Sequence, residues 1–283
     1  MTGPSGESAD LARAALAAAR VWLVGSGRMG GALLSGWLDR GVAPDHLTII
    51  DPAVSEGPRG VRTVADGAAL TDAPRPDVLV LAVKPQMMDA VMPTYQALGG
   101  GGTVVLSVAA GRAIAGFEAA FGVGTPVVRA MPNTPAAVHR GMTVACANAP
   151  VTDAERITCD ALLRAVGDVA WIEGETAMDA VTAVSGSGPA YVFWLTECLA
   201  RAGEEAGLPP DLAVRLARTT VSGAGALMDA APEDPADLRR NVTSPGGTTA
   251  AALEVLMADS DGLSPLMARA VAAAARRSRE LAG

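Results

Sequence analysis

Aromatic side chains are scarce: phenylalanine, tryptophan and tyrosine together make up 3% of the 283 residues. The core must therefore be aliphatic and small-residue, and stacking platforms for single-stranded nucleic acid are hard to assemble. Cysteine is rarer still, with Cys146, Cys159 and Cys198 alone. Three widely spaced thiols make no disulfide framework and lack the close pairing of a zinc site. With two histidines besides, no metal centre is expected. A net charge of -8 disfavours a nucleic-acid partner, since the one basic cluster is Arg276, Arg277 and Arg279. No window holds the roughly 18 uncharged apolar residues of a membrane helix. Residues 1–20 open on Gly, Pro, Ser and Glu, and Arg13 interrupts the Ala-rich stretch. They read as a flexible extension with a short helix, not a signal peptide, and a cytoplasmic protein is expected. Lysine is the sharpest shortage. Of 22 basic residues 21 are arginine, and the remaining one is Lys84.

What is present is an alternation. Short apolar runs at 21–24, 47–50, 61–64, 78–83, 103–108 and 126–130 alternate with helical patterns. Two weaker runs, 142–145 and 169–172, flank a helical segment at 153–166. This order predicts an α/β domain at 21–174, with a Rossmann-type doubly wound parallel sheet. After Glu175 no strand signal remains. Helical patterns at 178–207, 212–228, 236–242, 248–257 and 264–281 predict an all-helical domain at 175–283. That domain is Ala-rich and short of large hydrophobes, so a second subunit is expected to complete its core.

Gly25-x-Gly27-x-x-Gly30 lies between the first strand and the first amphipathic helix, where a dinucleotide fingerprint belongs. Gly25, Ser26, Gly27, Arg28, Met29 and Gly30 are therefore candidate cofactor contacts. Asp51 ends the second strand, where a carboxylate meets ribose hydroxyls and favours NADH. Arg59 and Arg62 nearby offer the alternative of a 2′-phosphate, so cofactor choice stays open. Ala82, Val83, Lys84 and Pro85 close the fourth strand at the rim where ligands of open sheets bind. Met131, Pro132 and Asn133 end the sixth, and the amide of Asn133 suits a nicotinamide carboxamide. Ser185-Gly186-Ser187-Gly188 weakens a helix start, which close packing or a ligand would explain. Ser244-Pro245-Gly246-Gly247-Thr248-Thr249 runs into a helix N-terminus and offers N–H donors and hydroxyls to a carboxylate.

These blocks, in this order, resemble the pyrroline-5-carboxylate reductase family over residues 21 to about 255. The resemblance implies reduction of 1-pyrroline-5-carboxylate to L-proline with NADPH or NADH, and a helical domain that interlocks two subunits as a homodimer or higher oligomer. It implies that Ser244, Gly246 and the N–H groups of Gly247 and Thr248 hold the substrate carboxylate. Thr249 then places its hydroxyl near the ring nitrogen as the catalytic group, and Lys84 lies near the cofactor. Asp51 departs from the polar or basic residues that many members carry there. A 3-hydroxyacid dehydrogenase shares the Gly-rich turn but needs a lysine in the helical domain, which this chain lacks. A non-catalytic dinucleotide sensor and a reductase of the six-membered imine are the other readings.

Overall fold

The structure is a computed structural model that describes residues 6–282. Eight strands form one sheet: β1 (Val21–Val24), β2 (Leu47–Ile50), β3 (Arg62–Val64), β4 (Val78–Leu81), β5 (Val104–Ser107), β6 (Val127–Met131), β7 (Gly141–Ala147) and β8 (Gly167–Trp171). Their spatial order is β3-β2-β1-β4-β5-β6-β7-β8. From β3 to β6 every pair is parallel. β7 is antiparallel to β6, and β8 is parallel to β7. The reversal has a simple cause. Residues 132–140 are too few for a helical crossover, so β7 returns in the opposite direction.

The helices in this part are α1 (Gly6–Ala18), α2 (Arg28–Asp39), α3 (Met88–Val91), α4 (Ile114–Phe121), α5 (Asp153–Arg164) and α6 (Met178–Val181). β1, β2, β4 and β5 are buried along their whole length. That is why their sequences are unbroken apolar runs and not alternations. Their pleat splits the core in two. Val78 and Val80 join Leu33, Trp37 and Leu162 on one face. Leu79 and Leu81 join Met88, Tyr95 and Phe117 on the other. The scarce aromatics are spent here: Trp37 and Phe117 are among the largest fully buried side chains. The flexible extension expected at 1–20 is, from Gly6 to Ala18, the helix α1, and Leu16 and Ala19 lie in the first core layer because both are apolar and face it; residues 1–5 lie outside the described residues.

Contacts divide the chain into two units. One runs to Gly186 and takes in the end of the last helix from Arg277; the other is 187–276. The division falls beyond residue 174 because α6 and a π-helical turn, Thr182–Gly186, are built into the first unit. Met178 and Ala183 are buried there, and Ser278 Oγ donates to Asp179 Oδ1 at 2.6 Å. The 178–207 helical pattern is thus interrupted at its glycines, not continuous.

The second unit contains α7 (Gly188–Glu205), α8 (Pro210–Ala230), α9 (Pro235–Asn241), α10 (Thr248–Leu256) and most of α11 (Leu263–Ala282). α7 and α8 pack through small residues. Ala200, Ala213 and Ala217 are buried, and a Cβ on Gly203 would lie 3.3 Å from that of Ala213. The larger apolar side chains point outward: Phe193 is 62% exposed and Val255 72%. No described helix is long and apolar enough to cross a membrane.

Trp37 is the keystone between α2 and α5. It is fully buried, and its Nε1 donates to the Leu162 carbonyl at 2.9 Å. Trp37→Ala should destabilise the protein by about 3–5 kcal/mol, read as a lower urea midpoint at unchanged slope.

Candidate active site

The turn after β1 is shaped by contacts that forbid side chains. Gly25 has φ +88°, and a Cβ on it would press within 2.9 Å of Val83 Cγ1. A Cβ on Gly30 would lie 2.1 Å from the Gly25 carbonyl oxygen and 3.3 Å from Ala82 Cβ. Gly27 is different: nothing lies within 4 Å of its missing Cβ. Two glycines are thus required by the protein, and the third leaves open a face that a pyrophosphate would fill. Gly27 is also the N-cap of α2 and provides no capping side chain. The first N–H groups of that helix are left for an anion, and Arg28 stands exposed at its first position. Met29 packs against the first core layer.

Asp51 follows β2 and locks this turn. Its Oδ2 accepts from Ser26 N–H at 2.7 Å and from Ser26 Oγ at 3.2 Å. Its Oδ1 accepts from Ala53 N–H at 2.9 Å. Partial burial works against its charge, but these bonds from Ser26 and Ala53 win and hold its pKa below the ordinary value.

The parallel strands β1, β2, β4 and β6 all end on one rim, so the topology gathers the segments that follow them. Ala82 and Val83 pack on the Gly-rich turn. Lys84 is exposed, and its carbonyl accepts from Met87 N–H at 2.9 Å in the turn that Pro85 opens. Met131 ends β6 and Pro132 follows it, and a Cβ on Gly186 would meet Met131 Cε at 2.6 Å. Asn133 does something the sequence reading did not foresee. Its Oδ1 accepts from Met142 N–H at 2.9 Å, and its Nδ2 donates to Ser185 O and Oγ, both at 3.3 Å. In this geometry the amide ties the rim to the π-helical turn, and Oδ1, with one donor, keeps an acceptor position.

A cavity of about 270 Å³ opens beside Asp51. Asp66, Gly67, Met87, Thr94 and Tyr95 line it, and none of them figured in the sequence reading. Two signals point to it. Asp66 and Gly67 lie just past the end of β3, and Val91 and Tyr95 lie on the helical connection that follows β4. Burial raises the pKa of the Tyr95 hydroxyl well above its usual value, with the Asp66 charge adding to it. A mostly apolar cavity beside a carboxylate has the chemistry to take a planar ring with a polar substituent.

In the second unit, α9 ends and the loop 243–247 leads into α10. Gly246 has φ +68°. Gly247 is the N-cap of α10 and has no side chain to cap it. Its own N–H is taken, donating to the Ser244 carbonyl at 3.0 Å. That corrects the sequence expectation for Gly247, because a bonded N–H in a tight turn is not free for a carboxylate. The N–H groups of Thr248 and Thr249 begin the helix. Ser244 and Thr248 are exposed, and Thr249 is half-buried.

A Gly-rich turn open only where a pyrophosphate would sit, an uncapped helix behind it and a carboxylate at the next strand define a dinucleotide-dependent oxidoreductase of the Rossmann type. Residues 20–111 match the family model described as NADP oxidoreductase coenzyme F420-dependent, and 175–281 match that of pyrroline-5-carboxylate reductase dimerisation. A pyrroline-5-carboxylate reductase of Pseudomonas aeruginosa is 40% identical over 93% of this chain and 97% of its own length. One from Corynebacterium melassecola is 37% identical over 92% and 97%. The solved pyrroline-5-carboxylate reductase of Coxiella burnetii has a TM-score of 0.87 at 33% identity, covering 94% of this chain and 99% of that one. A Plasmodium falciparum structure with NADP bound has a TM-score of 0.80 at 28% identity, covering 94% and 99%. The chain belongs to the pyrroline-5-carboxylate reductase family.

The glycines give a paired prediction. Gly27→Ala should fold with a melting temperature within a few degrees of the parent, yet bind NADH at least about tenfold more weakly, because its methyl group enters only the ligand's space. Gly30→Ala should lower stability by about 1–3 kcal/mol or more, because its methyl group meets backbone. Thermal melts and calorimetric titration with NADH check both.

Asp51 also sets a pH dependence. Its folded pKa is depressed, so its contribution is complete above about pH 4, the ordinary carboxylate value. That contribution is lost as pH falls through the lower folded value. An acid unfolding series should show this loss in the parent and not in Asp51→Asn, with no difference in slope between pH 5 and pH 7.

Proposed function

We propose that this protein catalyses the last step of proline formation, the reduction of 1-pyrroline-5-carboxylate to L-proline by NADPH or NADH. The observation that carries the reading is the pairing of two anion-binding helix starts in one chain. α2 suits a pyrophosphate, and α10, with Ser244, Thr248 and Thr249 around it, suits a small carboxylate.

When bound, a reduced nicotinamide would supply the hydride that, with one proton, saturates the ring C=N bond. The protein's part is positioning. Gly25, Gly27 and Gly30 let the pyrophosphate reach the backbone, with Ser26, Arg28 and Met29 between them. Asp51 would take the ribose, and Ala82, Val83, Lys84 and Pro85 would line the cofactor from the rim after β4. Met131 and Pro132 continue that rim, and Asn133 holds it to Ser185. In the second unit Ser244 Oγ and the N–H groups of Thr248 and Thr249 receive the carboxylate, while Gly246 and Gly247 shape the turn. Thr249 Oγ is assigned to the ring nitrogen, as hydrogen-bond partner or proton relay. The outward Phe193, Leu195, Leu256 and Met257 support a homodimer or higher oligomer. We assign the protein to the cytoplasm, which suits the free thiols of Cys146, Cys159 and Cys198.

Consumption of NADH or NADPH, followed at 340 nm with pyrroline-5-carboxylate, tests the activity. Proline must appear in equal amount; turnover of the six-membered imine alone would redirect the reading. Thr249→Ala should lower kcat by about tenfold or more with a smaller rise in KM, because a hydrogen bond that strengthens as the nitrogen changes acts on the transition state. Ser244→Ala should do the reverse and act chiefly on KM.

A further inference from the structure

The ribose end of the dinucleotide site is built for one of the two cofactors. Asp51 is fixed before any ligand arrives, by Ser26 N–H and Oγ on one oxygen and Ala53 N–H on the other. Each carboxylate oxygen has two acceptor positions. Oδ1 has a single donor and so can still accept a ribose hydroxyl. The cavity that Asp51 lines contains a second acid, Asp66, and no basic residue.

The arginines nearest in sequence, Arg28, Arg59 and Arg62, are not among the residues that line this cavity. Arg59 Nη2 is paired with Asp39 Oδ1 at 2.5 Å, and Asp39 Oδ2 also lies 3.8 Å from His139 Nε2. Arg59 borders a separate cavity of about 370 Å³ with Ser26, Ser35 and Val54. Arg62 is opposite Thr48 in the β2–β3 register. It is thus three residues short of Asp51, about 10 Å along the strand direction. Arg28 stands at the first position of α2, the pyrophosphate end of the turn.

We infer that Asp51 is the specificity-determining residue of this reductase and makes it an NADH enzyme: its carboxylate accepts from the ribose 2′-hydroxyl and, with Asp66 near and Arg59 engaged by Asp39, repels a 2′-phosphate. This rests on the reductase reading above and narrows its cofactor. The Plasmodium falciparum relative was solved with NADP, so the preference is assigned to this chain's own residues.

The test is calorimetric titration of the full-length protein with NADH, NADPH, NAD and NADP, beside kcat/KM for both reduced forms. NADH should bind at least about tenfold more tightly than NADPH. Asp51→Ser should reduce that ratio about tenfold or more while circular dichroism stays unchanged. Asp51→Asn, which keeps the shape and loses the charge, covers the case in which the serine variant fails to fold. Equal or tighter NADPH binding by the parent overturns the inference, and loss of that binding in Arg59→Ala would name Arg59 as the phosphate ligand instead. An unchanged ratio in both Asp51 variants also overturns it. Binding of neither dinucleotide would remove the oxidoreductase reading itself, an outcome distinct from a preference for NADPH.

Discussion

The dinucleotide unit depends on how closely α2 approaches the turn that precedes it. A Cβ on Gly30 would lie 2.1 Å from the Gly25 carbonyl oxygen. No side chain fits there, so helix and turn meet backbone to backbone. That approach aims the uncapped N-terminus of α2 along the sheet rim, and Trp37 then clamps the far end of the same helix to α5. Asp51 binds the turn to β2 through Ser26. Three constraints from three parts of the sequence thus leave the turn one conformation, and the preorganisation lowers the ordering cost when a ligand arrives.

A second constraint holds the end of β6. Arg129 is buried, and its Nη1 meets Glu175 Oε1 at 2.5 Å. Both Glu175 oxygens lie 3.0 Å from Ile114 N–H, so the same carboxylate caps α4. A buried ion pair gives little net stability, since desolvation offsets attraction. Removing one partner costs far more than the pair contributes. What the pair does is fix geometry: it pins the strand two residues before Met131 and the segment that leads from β8 into α6. Asn133 adds a second tie, from the same rim to Ser185.

The strands legible in the sequence are those buried on both faces. At 21–24 and 47–50 the apolar runs coincide with β1 and β2, because burial on both faces leaves no polar position inside and turn residues mark the ends. The antiparallel β7 was less visible, since its direction follows from the length of the 132–140 connection and not from any residue type. The π-helical turn was visible only as the weak helix start at Ser185-Gly186-Ser187-Gly188, because no residue type distinguishes a π turn from an α turn. At the site, the glycines were legible because backbone chemistry demands them. Asp66, Gly67, Thr94 and Tyr95 were not. They are scattered over two connections with no shared spacing, and only the parallel order of β3, β2, β1 and β4 brings them to one cavity. Asn133 and Gly247 show the opposite limit. The sequence supplies a free amide or N–H in principle, but only coordinates show that Met142, Ser185 and Ser244 have already engaged them.

The second unit shows how a chain poor in aromatic residues distributes the large apolar groups it has. Its contacts between α7 and α8 are made by Ala200, Gly203, Ala213 and Ala217, which bring the helices close but bury little area each. At about 25 cal/mol per Å² of apolar surface removed from water, such residues contribute far less than Leu or Phe would. The larger groups available, Phe193, Trp194, Leu195, Leu216, Leu256 and Met257, are all 46% exposed or more. A helical unit whose small residues face inward and whose large residues face outward has its main apolar layer on the surface. The sequence reading inferred a second subunit from the shortage of large hydrophobes. The structure gives a different physical reason for the same expectation: large apolar side chains are present, but they lie exposed and not in the contact between α7 and α8.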